Sequence, residues 1–257
     1  GFLIGTDYHL GAKVTKRLLN LIKRYEPKEK VLTESKFGIV KTALVIGATG
    51  LVGNYLTHIL LNSSEYSKIT VLVRKSFFDA NSKLNRIIFN FEDENSLKML
   101  EPVDDIFCCI GTTIKTAGTK EKFRYVDEVL PIRFADWAKK NKVNSFSIVT
   151  AMGANEQSSI FYNRIKGTVE KKLIEIGFPM LTIFRPSFLI GKRKDFRIGE
   201  IIGKLFMNLL SPLMIGPMRK YAPIHGKKVA QAMVNVISNS QNGLHIIESD
   251  KIYRLSD

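Results

Sequence analysis

From residue 41 to the end of the chain, short apolar runs alternate with stretches in which apolar residues return every three or four positions. A short continuous apolar run fits a strand buried on both faces, and the three-to-four spacing fits a helix laid over it. The pattern predicts strands at 42–46, 69–74, 86–90, 105–110, 145–150, 180–184 and 244–247, with helices beginning near Leu51, Lys120, Ser159, Gly199 and Lys227. Regular alternation of the two implies an α/β domain built on a doubly wound parallel sheet, with a small C-terminal region covering the substrate.

Residues 1–40 precede the first strand and form a separate basic extension. Within it, 12–25 sets Leu18, Leu19, Leu21 and Ile22 among Lys16, Arg17, Lys23 and Arg24, the pattern of an amphipathic helix. Such a helix packs on the domain or on a second subunit; a peripheral membrane contact and organelle targeting are the alternatives. Residues 41–257 form the main domain, and inside it 192–220, rich in Leu, Ile, Met and Phe, reads as a variable lid. That apolar character fits a hydrophobic substrate or a homodimer contact.

Composition narrows this picture little. The chain has 257 residues, 45% of them hydrophobic, enough for one large α/β domain, and no apolar run long enough to cross a bilayer, so a soluble, cytoplasmic protein is expected. A net charge of +15 raises the question of nucleic acid. The basic residues are spread along the whole chain without regularly interleaved aromatics, and no specific nucleic-acid partner is expected. The two cysteines, Cys108 and Cys109, are adjacent in a strand and point to opposite faces, which rules out a disulfide framework. His9, His58, His225 and His245 lack the spacing and company of metal ligands, so no metal site is expected.

Chemistry enters at Gly47-Ala48-Thr49-Gly50-Leu51-Val52-Gly53, between the first strand and the first helix. A pyrophosphate bound there needs backbone N–H groups close by and side chains out of the way. Gly47 allows the tight turn, Gly50 the close approach and Gly53 the helix–strand contact, while Thr49, Leu51 and Val52 bring their amides to the positive end of the helix dipole. This is the fingerprint of an NAD(P)-binding Rossmann fold. The second strand ends in Arg74-Lys75, about twenty residues after the last glycine, where an NAD site would place an acid for the ribose hydroxyls. A guanidinium favours a 2′-phosphate, so NADP(H) is expected over NAD(H).

The order of the glycine turn, Arg74-Lys75, 108–118, Tyr162-Asn163-Arg164-Ile165-Lys166 and Phe184-Arg185-Pro186 resembles the atypical short-chain dehydrogenase/reductases typified by HIV-1 Tat-interactive protein 2, over residues 41–240. The resemblance implies that Gly111, Thr112 and Thr113 border the cofactor ribose and phosphates, and that Pro186 lies where backbone approaches the nicotinamide. It makes Tyr162 the acid/base at the substrate oxygen and Lys166, four residues on and so on the same helical face, the group that tunes the phenol and holds the ribose. Thr150 then positions the substrate, with Ser158 and Ser159 as alternatives. Where many relatives carry an asparagine, this chain has Asp127, a departure that supports cofactor binding more than turnover. The expected activity is NADP(H)-dependent reduction of a carbonyl or oxidation of an alcohol on a small, apolar molecule. The alternative is an NADP(H)-binding sensor or scaffold without turnover.

Overall fold

The computed structural model describes residues 40–75, 78–191 and 220–256. The expectations for the extension, the lid and a helix near Gly199 lie outside them. Among the described residues seven strands form one sheet: β1 (Lys41–Ile46), β2 (Tyr66–Val73), β3 (Leu84–Ile88), β4 (Asp105–Cys108), β5 (Ser145–Val149), β6 (Met180–Arg185) and β9 (Gly243–Glu248). Their order is β3-β2-β1-β4-β5-β6-β9, with every neighbour pair parallel. A two-residue pair, β7 (Leu189–Ile190) and β8 (Ile224–His225), stands apart from the sheet.

The alternation along β1 shows how the sequence builds two layers. Ala43 and Val45 face α1 (Leu51–Asn62) and a late helix, α6 (Gly226–Asn239), through Leu56, Leu60, Val229 and Met233. Leu44 and Ile46 face the other way, toward α4 (Leu130–Lys140) and α5 (Phe161–Ile176), through Phe134, Val169 and Leu173. Each Leu or Phe so buried stabilises the fold by about 1.5–3 kcal/mol. Because both faces are covered, the central strands are apolar throughout, which is why they are legible as short continuous runs.

The predicted strand bounds shift by one to three residues. The largest is at β2, which starts three residues early at Tyr66, and at the edge strand β3 both bounds move by two because the apolar run 87–89 marks the end of the strand and not its middle. The helix expected from Ser159 starts at Phe161. The helix expected near Lys120 is three pieces: α3 (Lys120–Arg124), a π-helical turn at Tyr125–Val129, and α4. Three short elements carry no hydropathy period: a 3-10 turn at Glu94–Met99, α2 (Ile114–Ala117) and α7 (Ser249–Leu255).

Candidate functional site

Strand order reverses between β1 and β4, so the loops after them diverge and leave a crevice at the C-terminal edge of the sheet. Register fixes what gathers there. Ile46 lies opposite Leu72 on one side and Cys108 on the other, so the glycine turn, Arg74 and Gly111 leave the sheet at the same level. Cys108 in turn pairs with Ile148, and Val149 with Phe184, which adds Thr150 and Pro186 to that edge.

The turn after β1 has no room for side chains. Gly47 has φ +84°, and a Cβ on it would come within 2.7 Å of the Cys109 carbonyl. A Cβ on Gly53 would sit 2.2 Å from the Gly47 carbonyl oxygen. Gly50 N–H donates to that same oxygen at 2.9 Å, and α1 then begins with neither a side-chain cap nor an acid in its first turn. The leading amides of α1 are therefore left for an external anion. Leu51 is wedged where a Cβ on Gly191 or Gly226 would stand, at 2.6 and 2.7 Å, so its side chain ties the turn to the loops around β7 and β8. Arg74 and Lys75 are exposed and make no ion pair among the described residues.

Tyr162 and Lys166 share one face of α5, but their surroundings differ. The phenol ring is half-buried against Phe123 (centroids 5.7 Å apart), which also packs Phe161. The Lys166 ammonium is buried and lies 2.7 Å from Asp127 Oδ1, an ion pair without the alignment of a hydrogen bond. The other oxygen of Asp127 accepts the Thr112 amide at 2.8 Å. Burial alone would disfavour the ammonium, but the Asp127 carboxylate, with smaller contributions from Tyr162 and Cys108, outweighs it, and Lys166 holds its proton above the ordinary lysine range. Position 111 borders this pair: a Cβ there would reach Asp127 Oδ1 at 3.4 Å and Lys166 Nζ at 3.8 Å.

Thr150 has a different commitment. Its buried hydroxyl donates to Glu170 Oε1 at 2.5 Å, and Glu170 is gripped by Arg185, which also reaches Glu248 at 3.0 Å. A hydroxyl has one hydrogen, so while this bond holds Thr150 could accept a hydrogen bond from a ligand but not donate one. Ser158 accepts the Ile160 amide and helps start α5. The Thr113 hydroxyl caps α2 through the Thr116 amide at 3.1 Å. His225 caps α6 through the Lys227 amide at 3.1 Å and packs on Tyr55; like His58 against Phe78, it has a structural place. Cys108 and Cys109 face opposite cores, as their adjacency implies; burial pushes the Cys108 thiol up to about 12.

Sequence reasoning noticed Asp127 only as a departure and did not find Glu170 or Arg185 as partners. The signal for the first was a carboxylate on an otherwise core-facing segment; for the second, Glu170 falls four residues after Lys166, on the same face of α5.

The family model for the NAD dependent epimerase/dehydratase family matches residues 43–160 and stops short of Tyr162. Protein FMP52-1, mitochondrial, of Scheffersomyces stipitis is 31% identical over 77% of this chain and 89% of its own length. Protein HTATIP2 of Rattus norvegicus is 29% identical over 84% of this chain and 89% of its own. Among solved structures, MoeE5 in complex with UDP-glucuronic acid and NAD superposes with a TM-score of 0.63 at 16% identity, covering 81% of this chain and 76% of that one. The fold expectation stands on this likeness. The cytoplasmic expectation does not: the Scheffersomyces relative is named mitochondrial, as are relatives from Eremothecium gossypii and Candida albicans. The absence of an apolar span holds no address, so that inference had no physical basis.

Proposed function

From the premise that the chain belongs to the family of FMP52 and HTATIP2, atypical short-chain dehydrogenase/reductases on a Rossmann fold, we propose that it is an NADP(H)-dependent oxidoreductase acting on a carbonyl or alcohol. The observation that carries the reading is the bare turn over the uncapped start of α1, where a Cβ at Gly53 would occupy the Gly47 carbonyl. A pyrophosphate fits that cradle because it offers acceptors to amides that no side chain among the described residues caps. Arg74, exposed at the end of β2, would hold the 2′-phosphate, with Lys75 adding charge beside it. Gly111, Thr112 and Thr113 would border the ribose, and Pro186 the nicotinamide end.

A nicotinamide bound in that crevice would supply or accept hydride. The chain's own residues do the rest. The Tyr162 phenol, held against Phe123, exchanges a proton with the substrate oxygen. Lys166 keeps positive charge beside that phenol and has donors left for ribose hydroxyls, since an ammonium carries three. Ile160, Phe188 and Tyr221 are exposed on loops at the same edge and favour an apolar substrate. A mitochondrial location is part of the proposal, supported by the relatives' names and by the basic amphipathic stretch at 12–25.

The test is a screen of small carbonyl compounds for NADPH oxidation by the wild type, repeated with Tyr162→Phe. A substrate whose turnover the variant loses by about 10²-fold or more, the scale of a general acid, with NADPH affinity unchanged, bears the reading out. Turnover that survives the substitution overturns the role of Tyr162. The second reading, an NADP(H)-binding sensor without turnover, draws on Thr150, whose only hydrogen is given to Glu170; it predicts tight cofactor binding and no oxidised NADPH with any carbonyl.

A further inference from the structure

Lys166 is a buried cation, and its charge depends on one neighbour. The groups facing it are Asp127 from the π-helical turn, Tyr162 from its own helix and Cys108 from the end of β4. Of these, only Asp127 is a carboxylate, and burial pushes the Cys108 thiol up to about 12. The other carboxylates of the π-helical turn and α5 are engaged elsewhere, Glu128 with Arg124, Glu170 with Arg185 and Glu175 with Lys172. Side-chain exposure of 1% for Asp127 and 6% for Lys166 shows that water shares little of the interaction.

The position of Asp127 has a backbone cause. Between α3 and α4 the chain runs through five residues of π-helix, Tyr125–Val129, whose wider turn changes the direction of each side chain relative to a continuous α-helix. Within that turn Asp127 and Glu128 are buried, whereas Val129 is exposed. From there Asp127 reaches both α5, through Lys166, and the loop after β4, through the Thr112 amide.

We propose that Asp127 is a positioning residue: its carboxylate holds the Lys166 ammonium in place and, through the Thr112 amide, fixes that place to the loop that would border the cofactor ribose. This rests on the cofactor reading above and adds a division of labour to it. Lys166 remains a cation throughout the working pH range, and Tyr162 is the member of the pair that trades a proton. An asparagine would still accept the Thr112 amide but would leave a buried ammonium without its counter-charge, which desolvation then drives toward the neutral amine.

The test compares wild type with Asp127→Asn and Asp127→Glu. The Lys166 ε-carbon is followed by NMR from pH 6 to 11 without ligand, its signal assigned by its loss in Lys166→Arg. In parallel, NADPH affinity is measured for each protein near pH 7 and pH 9.5. Wild type and Asp127→Glu are expected to keep Lys166 charged to about pH 10 or beyond, and Asp127→Asn to release the proton about tenfold or more too easily. NADPH affinity of Asp127→Asn should fall several-fold more than wild type's between the two pH values. Lys166 titrating at the same pH in wild type and Asp127→Asn overturns the proposal, and so does an affinity loss equal at both pH values, the mark of a purely structural role. If Asp127→Asn does not fold, wild type alone decides, because release of the Lys166 proton below the ordinary lysine range contradicts the proposal. Absence of NADPH binding by wild type would count against the cofactor reading, while the NMR titration still judges the role of Asp127.

Discussion

At the scale of single residues, the site is a set of polar groups with assigned partners, and those assignments predict what each substitution does. Thr150 gives its only hydrogen to Glu170, so Thr150→Val leaves a buried carboxylate oxygen short of a donor. The expected cost is about 1–3 kcal/mol in urea unfolding, with NADPH affinity unchanged; a variant as stable as wild type would show that the bond contributes nothing. Lys166 makes stability depend on pH in a definite direction. Its folded-state pKa lies above the unfolded value, so the stability it contributes is fully present below the ordinary lysine range and is lost as pH rises through the folded value. Lys166→Met should therefore narrow the stability gap to wild type above about pH 10.5, read from melting temperatures at pH 7 and pH 11. Most of this was closed to sequence reasoning. Tyr162 and Lys166 are legible because four residues is one helical turn, but Asp127 meets Lys166 across 39 positions of chain, and no local period encodes that contact.

At the scale of elements, what was legible follows from burial. Strands covered on both faces, such as β1 and β5, reveal themselves as apolar runs. Edge strand β3, with no fully buried side chain, shows itself only in part, through an apolar run displaced by two residues, and the two-residue β7 and β8 are too short to show one. The π-helical turn was hidden for another reason: its residues continue a helical period in composition, and only the hydrogen-bond register betrays the wider turn. The glycine turn was legible because a phosphate cradle requires missing side chains at fixed spacing. It is also where an element is most sensitive to a single carbon. Gly53→Ala would set a methyl group 2.2 Å from the Gly47 carbonyl, and backbone must move to make room. Loss of NADPH binding with a melting temperature lowered by several degrees is expected, as for an overpacking cost of about 1–3 kcal/mol. An alanine variant that binds NADPH like wild type would show that α1 does not depend on this close approach.

At the scale of the whole molecule, a sheet that reverses its strand order between β1 and β4 brings together residues that are far apart in sequence. Fold class could be read from alternation alone, because each strand–helix unit repeats the same hydrophobic logic. Location could not, since nothing in the packing of this domain depends on the compartment that surrounds it. The central claim is that the glycine turn and Arg74 together bind a 2′-phosphorylated dinucleotide. The most direct measurement is a fluorescence titration of the purified full chain with NADPH and, separately, with NADH, each repeated with Arg74→Ala. Tighter binding of NADPH than NADH by wild type, with a loss of about 1 kcal/mol or more for NADPH alone in the variant, is the predicted result. Equal binding of the two nucleotides that Arg74→Ala leaves untouched, or binding of neither, would contradict it.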